Sequence, residues 1–202
     1  MTNSGPSELQ KAGGGAEGGD LAWPKLPFLV LLGGGVLALD FLTKWWVQQN
    51  LPLARPVPIL GDVFRLTHIM NPGAAFGIHV GEHSRAIFIG LTFVALIFLG
   101  GMLWYASRSD TLRLTALSLL LGGAIGNLLD RIRFPEGVID FLDVGLAGIR
   151  WPVFNVADMG ITLGAVLLAV SIWMEEKARI EDEPPLEPDG GSEEEVARTE
   201  ST

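Results

Sequence analysis

Two aspartates in this chain have no basic residue close by in sequence, and both stand in apolar surroundings. They are Asp140 in VIDF and Asp158 in FNVAD. Two carboxylates brought together in a dry place cannot both ionise, so one pKa rises and the other falls. The ionised member takes a proton from water while the protonated one donates to a carbonyl oxygen. That is general acid–base hydrolysis of an amide, with no metal and no covalent intermediate. Asn127 in GNLLDR and Asn155 in FNVAD carry amides suited to positioning the water or a substrate backbone. Further polar groups interrupt apolar sequence: Asp40 and Lys44 in DFLTK, Asn71 in NPGAAFG, and Asp130 and Arg131 in GNLLDR. Charged side chains in or beside membrane spans are costly, so each is a functional hypothesis by default. Asp40 and Lys44 are spaced i, i+4 and pair on a helix. Arg131 is expected to pair with its neighbour Asp130.

Each of these groups has a plainer reading. Asp158 opens an apolar run, where a helix-capping carboxylate is favoured. Asp143, three residues after Asp140, competes for the catalytic role. GNLLDR also suits a helix end with its own ion pair, DFLTK suits structural support, and NPGAAFG suits a tight turn. HVGEH, residues 79–83, fits the H-x-x-E-H pattern of a zinc peptidase. That pattern needs a helix, yet Gly77 precedes it and Gly81 sits inside it. No third ligand is evident, so neither metal nor cofactor is expected.

Four apolar segments must carry these residues: 27–47, 86–106, 114–129 and 159–174. A bilayer core of about 30 Å asks for about 20 helical residues. The second segment suffices alone. The third and fourth need their polar flanks, which sets Asp130, Arg131 and Asp158 near span ends at one membrane face. Tryptophans 23, 45, 46, 104, 151 and 173 lie near segment ends, as an aromatic belt requires. Between the first two spans, DVFRLTHIM alternates like a strand, with Phe64, Leu66, His68 and Met70 on one face. The expected fold is an all-α polytopic membrane protein, four transmembrane helices with a small extracytoplasmic β-element.

The chain of 202 residues is 49% hydrophobic and carries a net charge of −9. Nearly all of that charge is local: residues 175–202 hold eleven acidic residues against Lys177, Arg179 and Arg198. Three regions follow: a disordered Gly-rich extension over 1–26, a membrane domain over 27–175 and a disordered acidic tail over 176–202. No basic stripe marks a nucleic-acid partner. With no cysteine there is no disulfide and no thiol nucleophile. The start lacks a basic region followed by an apolar one, so no cleavable signal peptide is expected. Lysines and arginines divide seven to seven between the two faces. If Lys44 and Arg131 are held for chemistry, the terminal face leads seven to five, which favours cytoplasmic termini.

The ordered set DFLTK, NPGAAFG, GNLLDR, VIDF and FNVAD over four spans resembles the type II signal peptidases, the lipoprotein signal peptidases of bacteria. The resemblance covers roughly residues 27–175. It implies that Asp140 and Asp158 are the catalytic aspartates, supported by Asp40, Lys44, Asn71, Asn127, Asp130, Arg131 and Asn155. It implies cleavage of diacylglyceryl-modified prolipoproteins before the lipidated cysteine, at the outer leaflet of the cytoplasmic (inner) membrane. It also implies inhibition by globomycin-type cyclic peptides. A small proton-coupled transporter or channel subunit would also carry intramembrane carboxylates. Such proteins often show internal repeats and broken helices at mid-membrane. Here no repeat is visible, and the polar groups gather at span ends on one face.

Overall fold

A computed structural model describes residues 25–73 and 81–182. Most of the Gly-rich start and residues 183–202 of the acidic tail therefore lie outside the described residues. So do residues 74–77 of NPGAAFG and His79 of HVGEH.

Four helices are long and apolar enough to cross a membrane: α1 Leu26–Asn50, α2 Ser84–Tyr105, α3 Thr111–Arg133 and α4 Val156–Asp182. One π-helical turn, Leu29–Gly33, interrupts α1. On α2, Val94, Ile97 and Phe98 are 65–75% exposed. A row of apolar side chains this bare suits contact with acyl chains, not water. The chain divides into two compact units, Met1–Leu168 and Ala169–Thr202. The second includes the last turns of α4, where Arg179 donates to Glu176 at 2.6 Å.

Within the first unit α3 is central, and it is the most buried of the four spans. Gly122, Gly123 and Gly126 give it a small-residue stripe that admits its neighbours closely. A Cβ at Gly122 would collide with the Gly33 backbone and one at Gly123 with the Ala157 carbonyl, while at Gly126 it would stand 2.7 Å from Asp40 Oδ2 and 3.3 Å from the Ala157 Cβ. At the other end of the spans, Leu114, Leu117 and Ala106 form a buried cluster with Phe28, Leu99 and Leu168 around it. There the Lys25 Nζ donates to the carbonyls of Leu103 and Trp104, at 2.9 and 2.7 Å. A cation at those terminal carbonyls of α2 complements its dipole.

The remaining elements form one antiparallel sheet in the order β1-β2-β3-β4. Its strands are β1 Pro56–Leu60, β2 Phe64–Asn71, β3 Val138–Leu146 and β4 Ile149–Arg150. The hairpin between the first two spans agrees with the alternation in DVFRLTHIM, with one correction. The register shifts between Leu66 and Ile69, so Thr67 and His68 are both buried. A bulge breaks the two-residue period, and the two faces do not stay separate along the strand. The strand β3, within the connection between α3 and α4, lies outside the hairpin region that the sequence alternation predicts. It pairs Ile69 with Asp140 and Asn71 with Val138. Val47, Ile139 and Phe141 form a second buried cluster, joined by Leu66, Met70 and Val156. Burying each such side chain contributes about 1.5–3 kcal/mol. The cluster locks the end of α1, both central strands and the start of α4 around Asp140.

Candidate active site

The helix α4 begins at Val156, which makes Asn155 the residue before its first turn. The Asn155 Oδ1 accepts from the Asp158 N–H at 2.9 Å, and Asp158 Oδ2 accepts from the Asn155 N–H at 3.2 Å. This is a capping box, so the cap is Asn155 and Asp158 sits three residues inside. A third N–H of the same turn, that of Ala157, donates to Asp40 Oδ1 at 2.9 Å. Capping and a site role therefore coexist at Asp158, because its Oδ1 faces away from the turn and accepts from Asn127 Nδ2 at 2.8 Å.

Asn155 also reaches the other carboxylate. Its Nδ2 donates to Asp140 Oδ1 at 2.7 Å and approaches Asn127 Oδ1 and the Ile139 carbonyl. Asn71 Nδ2 donates to Asp140 Oδ2 at 2.9 Å while its Oδ1 accepts from the Gly73 N–H at 3.0 Å. That second bond is an Asx turn; the tight turn read in NPG is what aims the Asn71 amide at Asp140. Gly137, with φ +114°, lets the chain entering β3 press against the Asn71 carbonyl where a Cβ would collide.

Beneath these amides lies a buried ionic cluster. Lys44 Nζ donates to Asp40 Oδ2 at 2.7 Å, Asp130 Oδ2 at 2.8 Å and Asn127 Oδ1 at 3.1 Å. An ammonium group has three N–H donors, and all three are occupied. The expected Asp40–Lys44 pair is present. The expected Asp130–Arg131 pair is not: Asp130 binds Lys44 and accepts from the Ile139 N–H. Neighbouring side chains on a helix point about 100° apart, and only one of these two turns toward Lys44. Arg131 instead donates to the carbonyls of Asn127 and Gly73, at 3.2 and 3.0 Å, and its guanidinium stands 5.6 Å from the Phe88 ring centre. Its buried Nε has no acceptor among the described residues. The carbonyls at the end of α3 are held from outside by Arg85.

Asp140 and Asp158 line a single cavity of about 550 Å³, together with Asn71, Asn127 and Arg131. Its remaining wall is largely apolar: Trp151, Val153, Phe154, Met159, Leu163 and Val166 among others. The sequence reading missed these. The signal was available in helical spacing, since Met159, Thr162, Leu163 and Val166 continue the Asp158 face along α4. Burial, reinforced by the negative charge of Asp158, pushes the Asp140 carboxyl up to about 7, against the lowering effect of the two amides. The rival Asp143 lies elsewhere. It accepts from Thr67 Oγ1 at 2.7 Å, Arg65 Nε at 3.1 Å and Arg150 Nε at 2.6 Å. Burial works against its charge, but these donors outweigh burial and hold its pKa below the ordinary carboxylate value. Among the described residues no group of three His, Asp or Glu side chains is arranged to hold a metal ion.

A cavity with two carboxylates at its polar end and apolar walls suits a peptide bond attached to something oily. The two carboxylates share Asn155: its side-chain amide donates to Asp140 and its backbone N–H to Asp158.

The chain is similar to known proteins. The family model described as signal peptidase (SPase) II matches residues 32–174. A lipoprotein signal peptidase of Syntrophus aciditrophicus is 42% identical over 161 residues, covering 77% of this chain and 98% of that protein. One from Moorella thermoacetica is 44% identical over 144 residues, covering 71% and 90%. A bacterial membrane enzyme solved by the in meso method superposes with a TM-score of 0.70 at 27% identity, covering 78% of this chain and 94% of that one.

Proposed function

The chain belongs to the signal peptidase II family, a family of membrane peptidases that process lipoprotein signal sequences, and on that footing we propose an aspartic mechanism centred on Asp140 and Asp158. The substrate is a diacylglyceryl-modified prolipoprotein, cut just before its lipidated cysteine. Asp140 carries the proton at neutral pH, in keeping with a pKa near 7, and donates it to the scissile carbonyl oxygen. Asp158 accepts a proton from the attacking water. Asp158 then passes that proton to the leaving nitrogen while a hydroxyl of the tetrahedral intermediate returns its proton to Asp140, which restores the dyad. Asn155 and Asn127 hold the two carboxylates in register, Asn71 supports Asp140, and Arg131 lines the same cavity. Asp40, Lys44 and Asp130 fix the helix ends from which these groups project.

The observation that carries this reading is the common cavity of Asp140 and Asp158. Its apolar wall along α4 suits acyl chains that remain in the bilayer while the peptide bond is oriented at the dyad. The site faces the outer leaflet of the bacterial inner membrane and both termini lie in the cytoplasm. A globomycin-type cyclic peptide competes for the same cavity.

Cleavage of a diacylglyceryl-modified prolipoprotein by purified protein in detergent tests this. Wild type cuts, with or without a chelator, and globomycin blocks it. Loss of cutting on chelation, or full activity in Asp158→Asn, sinks the metal-free dyad.

A further inference from the structure

The far end of the sheet holds a second cluster that peptide cleavage does not use. It lies between two hairpin turns, Gly61–Val63 and Ala147–Gly148, about 17 Å along β3 from Asp140 if each residue rises about 3.3 Å. The turns are tied together: the Gly145 N–H donates to the Val63 carbonyl at 2.9 Å, and Arg150 Nη1 donates to the Asp62 carbonyl at 2.8 Å. Between them is a hollow of about 310 Å³ lined by Asp62, Arg65, Gly145 and Arg150 and rimmed by Val63 and Leu146.

Charge in this hollow is unevenly held. Asp143, buried behind it, binds both Arg65 and Arg150. The second carboxylate, Asp62, is held loosely: its side chain is almost wholly exposed, and its Oδ1 stands 3.9 Å from Arg65 Nη1. Arg65 uses only Nε in a hydrogen bond, so among the described residues its two terminal nitrogens have no acceptor. Asp143 also fixes both guanidiniums in advance, which lowers the ordering cost of binding.

The rim points to the ligand. Leu60, Val63, Leu146 and Ile149 are 50–80% exposed. Leu146 and Ile149 face each other across the two-residue turn, whose Ala147 and Gly148 both have positive φ. That is the geometry of a tight, rigid hairpin. Four bare aliphatic side chains around an arginine-lined hollow are poorly placed in water and well placed at a bilayer surface, where a phosphate meets acyl chains. The sheet springs from the ends of spans, so that surface is within reach.

We propose that the hollow between the two hairpin turns binds the phosphodiester headgroup of a bilayer phospholipid. Arg65 and Arg150 hold the phosphate, and Leu60, Val63, Leu146 and Ile149 lie against the acyl chains.

Native mass spectrometry of the full-length protein, released from non-ionic detergent, tests this with dioctanoylphosphatidylglycerol as the probe. Wild type retains the lipid. Arg65→Gln weakens retention about tenfold, the effect of losing a hydrogen bond to a charged group, and Leu146→Ser with Ile149→Ser weakens it too. Dioctanoylglycerol, which lacks the phosphate, is not retained, and millimolar inorganic phosphate does not displace the probe. Equal retention by Arg65→Gln, equal retention of dioctanoylglycerol, or displacement by phosphate alone overturns the assignment. A second measurement needs no variant: the lipid slows phenylglyoxal modification of Arg65 in the wild-type chain, and an unchanged rate overturns the proposal.

Discussion

Asp140 and Asp143 lie three residues apart on one strand, at 1% and 3% exposure, yet their surroundings push them opposite ways. Asp140 is met by two neutral amides and stands near a second carboxylate, and its pKa rises to about 7. Asp143 is met by two guanidiniums and a hydroxyl, and its pKa falls. Both side chains are closed to solvent, but Asp140 lies deeper, so burial weighs more on it and the difference in partners adds to that. Amides orient a carboxylate without neutralising it and leave it free to exchange a proton. Guanidiniums fix the charge and turn the residue into an anchor.

The largest expected effect tests whether that difference is a difference of role. Asp140→Asn and Asp158→Asn lower kcat/KM on prolipoprotein by on the order of 10²–10⁴ or more. Asp143→Asn retains turnover of the wild-type order. Equal loss in folded Asp143→Asn would erase the distinction.

Next is Lys44→Met. It strands Asp40 and Asp130 without their cation, and removing one partner of a buried pair costs about 3–5 kcal/mol. Thermal unfolding in detergent reads this as a large drop in Tm. A small drop would mean that water reaches the cluster.

Asp143→Asn gives a smaller loss, about 1–3 kcal/mol from weakened hydrogen bonds to charged groups. It appears in Tm with kcat preserved, the reverse of the pattern for Asp140→Asn.

The smallest effect is the sign of pH dependence. Asp140 has a raised folded pKa, so its contribution to stability is full below about pH 4 and is lost as pH rises toward 7. Asp143 has a lowered one, so its contribution is present above the ordinary carboxylate value and is lost as pH falls through the folded value. Comparing wild type with each Asn variant between about pH 2 and 8 separates the two slopes, that of Asp143 below the ordinary carboxylate value and that of Asp140 above it. The Asp140 contribution is absent in its variant; parallel slopes would contradict the assignment. Activity falls above pH 7 as Asp140 loses the proton it donates.

The four spans were legible because each centres on a long apolar run, although the first holds Asp40 and Lys44 and the third and fourth need their polar flanks. The pair Asp140 and Asp158 was legible because no cation stands near either in sequence, and the ordered motifs agree. Asp143 could not be sorted from Asp140 in that way. Its partners Arg65 and Arg150 lie 78 and 7 residues away, and the strand pairing that unites them is not written in local pattern. For the same reason β3 was hidden. VIDFLDV has polar groups at positions 140 and 143, an odd spacing that puts them on opposite faces and breaks the alternation expected of a half-buried strand. Lys44 likewise looked like the partner of Asp40 alone, because Asp130 reaches it from another helix.

The central position of α3 bears on how the chain is made. It is the least apolar of the four spans and the most enclosed, and it carries Asn127, Asp130 and Arg131 at its end. A nascent chain inserts α1 and α2 before it, so Lys44 is already waiting to receive Asp130 when α3 enters the lipid. Lys44 also meets the Asn127 carbonyl oxygen, but the Asn127 amide N–H has its Asp158 acceptor only when α4 arrives. The polar assembly that α4 completes is thus also the last latch of biogenesis. Chains damaged along the glycine stripe are expected to be cleared by membrane quality control before they are ever seen as poor enzymes.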